Sequence, residues 1–146
     1  MLKKSKGFTL IELLLSIALI SLIAGMSVPI FSFMQSRNDI DVAQSSVAQN
    51  LRQAQISAQA SENDSPWGVK IEKGKITLFK GSSFIARDVA FDRITNLPST
   101  VNPYDLTEII FAKFSGETQN TGTITLKSLN NETRLISINN KGMLSF

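Results

Sequence analysis

A single carboxylate, Glu12, stands at the head of a stretch in which no charged residue occurs from Leu13 to Ser36. A helix of roughly 20 apolar residues fills the ~30 Å hydrocarbon core of a bilayer. An unpaired charge inside such a helix costs on the order of 2 to 3 kcal/mol to insert, so an ionisable group there is expected to have a task. Directly before the stretch, Lys3, Lys4 and Lys6 form a short basic leader ending at Gly7, which has the composition of a processing signal. Elsewhere the groups able to do chemistry are scattered. They are the acidic pairs Asp39/Asp41, Glu62/Asp64 and Asp88/Asp92, and the cations Lys70, Lys73, Lys75 and Lys80 with Trp67 and Phe79 among them.

The lysine cluster is the composition that holds single-stranded DNA, cations tracking the phosphates and rings stacking on bases. Against that reading, Trp67 shares a strand face with Val69 and Ile71, the alternation of a core residue. Arg134 and Lys141 offer a second, sparser patch. Calcium requires six to eight oxygens, and none of the acidic pairs has EF-hand spacing; they read as caps, turns or surface ion pairs. Nothing singles out a carboxylate pair for glycoside hydrolysis. Cysteine and histidine are both absent, which removes disulfides, thiol catalysis, the commonest general base and the main zinc ligands. No glycine-rich phosphate loop occurs. The chain is therefore expected to be no enzyme and to hold no metal or cofactor.

Lys6-Gly7-Phe8-Thr9-Leu10-Ile11-Glu12, followed by a long apolar helix, resembles the prepilin signal of type IV pilins and of type II secretion pseudopilins. The resemblance implies cleavage between Gly7 and Phe8 by a prepilin peptidase on the cytoplasmic side, with N-methylation of Phe8 by the same type of enzyme. It implies partners as well: other pilin or pseudopilin subunits, an inner-membrane assembly platform and membrane lipid. An ordinary secretory signal is cut after its apolar region; here the cut precedes it and the helix stays. Cleavage would leave an ammonium on Phe8 one helical turn before Glu12. In the family this carboxylate is thought to meet the terminal amine of a neighbouring subunit, the alternative being a charge that marks the cytoplasmic edge of an anchor.

The 146 residues leave room for one modest domain besides that helix. The net charge of +3 is located in the leader: three of the 15 basic residues lie there, against 12 acidic residues in all. Global basicity thus gives no argument for nucleic acid. The leader lysines place the N-terminus in the cytoplasm and the rest of the chain outside, as a single-pass protein of the cytoplasmic membrane.

Four segments follow: a leader over 1–7, a membrane and assembly helix over 8–33, the amphipathic half of the same helix over 34–64, and a β domain over 65–146. Pro29 cannot donate to the helix ladder and presses on the carbonyl of Gly25, which marks a kink or weak point. The resemblance implies unwinding there in a fibre; a tolerated kink is the other reading. Ile40, Ala43, Val47, Leu51, Ala54 and Ala58 recur at steps of three and four, a narrow stripe for packing on a domain. The opposite faces, with Arg37, Asp39, Asp41 and Arg52, read as solvated or as facing neighbouring subunits. The helix is expected to reach about Ser61 and to stop at Glu62-Asn63-Asp64-Ser65-Pro66.

Beyond it the period becomes two. Trp67–Glu72 and Lys75–Lys80 form a hairpin around Lys73-Gly74. Phe84–Ile94 reads as a strand or bent strand pair, Leu97–Leu106 as a loop because it holds two prolines, and Glu108–Phe114 as a buried strand. Thr121–Leu129, Arg134–Ile138 and Met143–Phe146 complete the set. One helix followed only by strands predicts an α+β, pilin-like fold, the helix packed on a C-terminal antiparallel β domain. The order Trp67-Gly68-Val69, hairpin, Phe79-Lys80-Gly81, with later strands ending in Ile136-Ser137-Ile138 and Gly142, resembles the H-type minor pseudopilins and related minor pilins. That family implies a structural subunit of a type IV pilus or type II secretion pseudopilus. The alternative is a minor pilin whose β domain binds DNA in competence or an adhesion partner.

Overall fold

The computed structural model describes residues 7–118 and 120–146, and the backbone alone for residues 26–32. The chain divides into two compact units, Met1–Gln35 and Ser36–Phe146. Helix α1 runs over Leu10–Gln59 and enters both.

In the first unit the side chains from Leu10 to Gly25 are exposed. Ser16 and Ser21 donate their hydroxyls to the carbonyls of Glu12 and Ile17, at 2.7 and 2.8 Å. Each polar group of these serines is thus satisfied on the helix itself, one turn back, and needs nothing from its surroundings. Gly25 is exposed, with no atom within 4 Å of where a Cβ would stand. The side chain of Pro29 lies outside the described residues. Among the described residues no helix is long and apolar enough to cross a membrane; residues 26–32, which extend the charge-free run in the sequence, are not part of that description.

In the second unit the stripe at steps of three and four is the buried face of α1. Ile40, Ala43, Val47, Leu51, Ala54 and Ala58 are all at most 1% exposed. Alanine at three of the six positions brings the helix backbone close to the strands, which is the reason a narrow stripe suffices. The helix ends at Gln59, and a 3-10 turn over Glu62–Asp64 carries the chain away from it. Trp67 fixes that exit, its indole N–H donating to the Glu62 carbonyl at 3.0 Å.

Eight strands follow in two antiparallel sheets. The first takes β1 (Trp67–Glu72), β2 (Lys75–Lys80), β3 (Asp88–Asn96) and β5 (Glu108–Phe111), in the order β3-β2-β1-β5. The second takes β4 (Val101–Asp105), β6 (Gly122–Ser128), β7 (Thr133–Ile138) and β8 (Leu144–Ser145), in the order β4-β6-β7-β8. Both sheets send alternate apolar residues to one core shared with α1: Trp67, Val69 and Ile71 from β1, Ile124 and Leu126 from β6, Ile136 and Ile138 from β7. This is the α+β arrangement expected of the sequence, a helix packed on antiparallel sheet.

Three local expectations are corrected. The stretch 97–106 is not all loop, because β4 forms through Pro103, which stands opposite Leu126. A proline is tolerated there because β4 is an edge strand, with a neighbour on one side only. The stretch 84–94 is not a strand pair: residues up to Arg87 form a loop, and β3 begins at Asp88. Finally, β5 stops at Phe111 rather than Phe114. There the Ala112 N–H turns back to the Glu117 carbonyl at 2.8 Å, and the Phe114 N–H leaves the sheet to donate to the Ala58 carbonyl near the end of α1, at 3.0 Å.

Candidate functional site

The N-terminal segment is built around the boundary between extended chain and helix. Gly7, Phe8 and Thr9 are non-helical and exposed, and α1 begins at Leu10. Thr9 is the capping residue. Its hydroxyl accepts from the Glu12 N–H at 3.4 Å, while the Glu12 carboxylate accepts from the Thr9 N–H at 3.4 Å and the Thr9 hydroxyl at 3.3 Å. This is a capping box, two otherwise orphaned donors of the first turn satisfied reciprocally. The carboxylate also sits where the positive end of the helix dipole favours an anion. Glu12 is therefore tied to its own chain, beside the Gly7–Phe8 bond. The pattern Thr9-x-x-Glu12 before an apolar run was the signal for it, and Thr9 is the residue that reading the carboxylate alone leaves out.

The remaining cations do not form one site. In the β1–β2 register Lys80 stands opposite Trp67, while Lys70 stands opposite Thr77 and Lys75 opposite Glu72. Opposed residues share a face and successive residues alternate, so Lys80 belongs to one face of the sheet, and Lys70 and Lys75 to the other. Each has a carboxylate partner: Lys70 with Glu108 at 3.5 Å, Lys75 with Glu72 at 3.3 Å, Lys80 with Asp88 at 3.8 Å. Lys80 also lies 4.3 Å from the centre of the Phe91 ring. Lys73 is exposed at the hairpin turn. Trp67 and Phe79, the rings that would stack on bases, are fully buried. Arg134 pairs across to Asp41 on α1, 2.9 Å away, and Lys141 is exposed in the turn before β8.

The acidic pairs are spent in the same way. Asp39 accepts from the Thr100 hydroxyl at 2.7 Å, Glu62 pairs with Arg93 at 3.3 Å, and Asp92 takes the Arg87 guanidinium at 2.9 Å. Asp64 pairs with Lys113, and that hydrogen bond and charge hold its carboxyl below the usual carboxylate range. Among the described residues no group of three or more His, Cys, Asp or Glu side chains is placed to hold a metal ion.

Comparison with known proteins points to the same end of the chain. The family model described as the prokaryotic N-terminal methylation motif matches residues 2–28. Neither a curated protein nor a solved structure matches the chain. The matched segment contains Gly7, Phe8, Thr9 and Glu12, and the match supports a signal of the type IV pilin and pseudopilin kind at this end of the chain.

Proposed function

We propose that the protein is a structural subunit cut between Gly7 and Phe8, methylated at Phe8 and assembled with other such subunits into a type IV pilus or a type II secretion pseudopilus. The observation that carries this reading is the methylation motif over residues 2–28, with the bond to be cut exposed immediately ahead of the Thr9 cap. The exposed leucines and isoleucines from Leu10 to Ile23 support it. So long an apolar surface requires a non-aqueous partner, and lipid before assembly and other helices after it are two such partners. In this reading the charge-free run anchors the precursor in the cytoplasmic membrane, and the assembly platform and peptidase meet it there. Glu12 leaves its own cap to meet the Phe8 amine of a neighbour. The hairpin beginning Trp67-Gly68-Val69 favours an H-type minor pseudopilin or a related minor pilin.

The test is the intact mass and N-terminal sequence of the protein recovered from its native membrane. A chain beginning at methylated Phe8 supports the reading. A chain still beginning at Met1 in cells with an active peptidase overturns it.

A further inference from the structure

The turn from Ala112 to Glu117 presents a large apolar side chain at the cost of an unfavourable backbone. Phe114 has φ +67° and is 70% exposed; for a bulky residue that conformation is an outlier which the surroundings must enforce. They do so from several sides. Phe114 N–H donates to Ala58, Gly116 N–H to Ala112 at 2.9 Å, and Gln59 Nε2 to the Ser115 carbonyl at 3.4 Å, while Lys113 is held by Asp64. The backbone of the turn is thus fixed in space, and the ring it carries packs into no core, with the Lys113 ammonium 4.5 Å from its centre. Three residues on, Glu117 is exposed and has no ion pair among the described residues.

A complementary surface lies along α1. Gln44, Ala48, Gln49, Arg52, Ile56 and Phe146 line an open groove of about 630 Å³. Ile56 and Phe146 are exposed apolar groups within it, and Arg52 is an exposed cation without a hydrogen bond or ion pair among the described residues. The turn offers one aromatic ring and one free carboxylate; the groove, whose other walls are Gln44, Ser45, Gln49 and Gln53, offers the two apolar side chains of Ile56 and Phe146 and one free guanidinium. Aromatic residues and arginine are the commonest anchors of protein interfaces.

We propose that the Phe114 turn of one copy seats in the α1 groove of a second copy, Phe114 against Ile56 and Phe146, and Glu117 against Arg52. Because the two surfaces differ, the contact is heterologous: the pair keeps one free groove, on the first copy, and one free turn, on the second, and the association can propagate. The turn is tied to α1 at Ala58, and the groove is centred near Gln49, so successive copies are offset along the helix by about 10 to 15 Å at 1.5 Å per residue. This names a contact within the fibre proposed above and rests on that reading.

The absence of cysteine from the chain makes the test direct. Full-length Ser115→Cys and Gln49→Cys proteins are reconstituted together in phospholipid vesicles and treated with a short bismaleimide. The 115–49 product is expected to dominate over 115–115 and 49–49 products. It should fall at least tenfold when the Gln49→Cys copy also carries Arg52→Glu, and recover when the Ser115→Cys copy carries Glu117→Arg. Dominant like-with-like products, no product, or no recovery on charge exchange overturns the contact. The fibre reading is scored separately, on the N-terminus of protein from the native membrane: a methylated Phe8 without the 115–49 product would discard the contact and keep the reading.

Discussion

The ring of Phe79 occupies the space in which a side chain at Gly68 would stand. The two residues are directly opposed across β1 and β2, and a Cβ added at Gly68 would lie 2.5 Å from Phe79 Cζ and 2.9 Å from the Ile109 carbonyl oxygen. Phe84 packs on the same ring, edge to face at 5.5 Å. A second, smaller apolar cluster is thereby made on the face of the sheet turned away from α1. Gly68→Ala is expected to destabilise the domain by about 1 to 3 kcal/mol through overpacking. Adding Phe79→Leu should return part of the loss. Thermal unfolding of the full chain in detergent, followed by circular dichroism, checks both; a Gly68→Ala protein as stable as the parent would contradict the packing described.

The capping box at the start of α1 makes a local prediction. Thr9→Ala removes the hydroxyl that accepts from Glu12 and should cost about 1 kcal/mol of first-turn stability. Amide hydrogen exchange in micelles reads this as faster exchange over Leu10–Leu13 with no change from Ile40 onward. Thr9→Ser, which keeps the hydroxyl, should exchange as the parent does.

Asp64 and Lys113 give a pH dependence. The Asp64 carboxyl is held below its ordinary value by the Lys113 hydrogen bond and charge. A depressed folded-state pKa contributes stability that is present above the unfolded-state value and is lost as pH falls through the folded-state value. Asp64→Asn should therefore differ from the parent at neutral pH, with the difference closing only in acid below the ordinary aspartate range. An NMR titration of the Asp64 carboxyl should show a lowered midpoint that rises in Lys113→Met; a midpoint indifferent to Lys113 would refute the assignment.

The distribution of the hairpin lysines predicts that they do not act as one nucleic-acid patch. Replacing Lys70, Lys73, Lys75 and Lys80 singly by alanine is expected to leave any association with single-stranded oligonucleotide within about twofold at physiological salt. A loss common to all four, with the shallower salt dependence that removed phosphate contacts produce, would show that they converge on a ligand after all.

Much of the helix and of the N-terminal site is legible in the residues. Ile40, Ala43, Val47, Leu51, Ala54 and Ala58 announce their face by spacing alone, because helical periodicity is local. Thr9 and Glu12 are separated by one turn, so their pairing is equally local. What escapes is set by neighbours distant in sequence. Pro103 reads as a strand breaker until β4 is seen to be an edge. Phe114 reads as the continuation of an apolar strand until Ala58, 56 residues earlier, takes its N–H. The lysines of the hairpin read as a cluster until the register assigns them to opposite faces and Glu108, from β5, reaches Lys70.

The edge position of Pro103 has a further consequence. A sheet grows, or exchanges strands with another molecule, through the unpaired backbone groups of its outermost strands. On one side of the second sheet, β4 lacks the N–H of Pro103; on the other, β8 is only two residues long. In the first sheet the long edge β3 carries Asp88, Asp92 and Arg93, charges that an added strand would have to accommodate. The other edge of that sheet, β5, is only four residues long, and short, charged or proline-bearing edges disfavour fusion with further copies into a continuous cross-β aggregate.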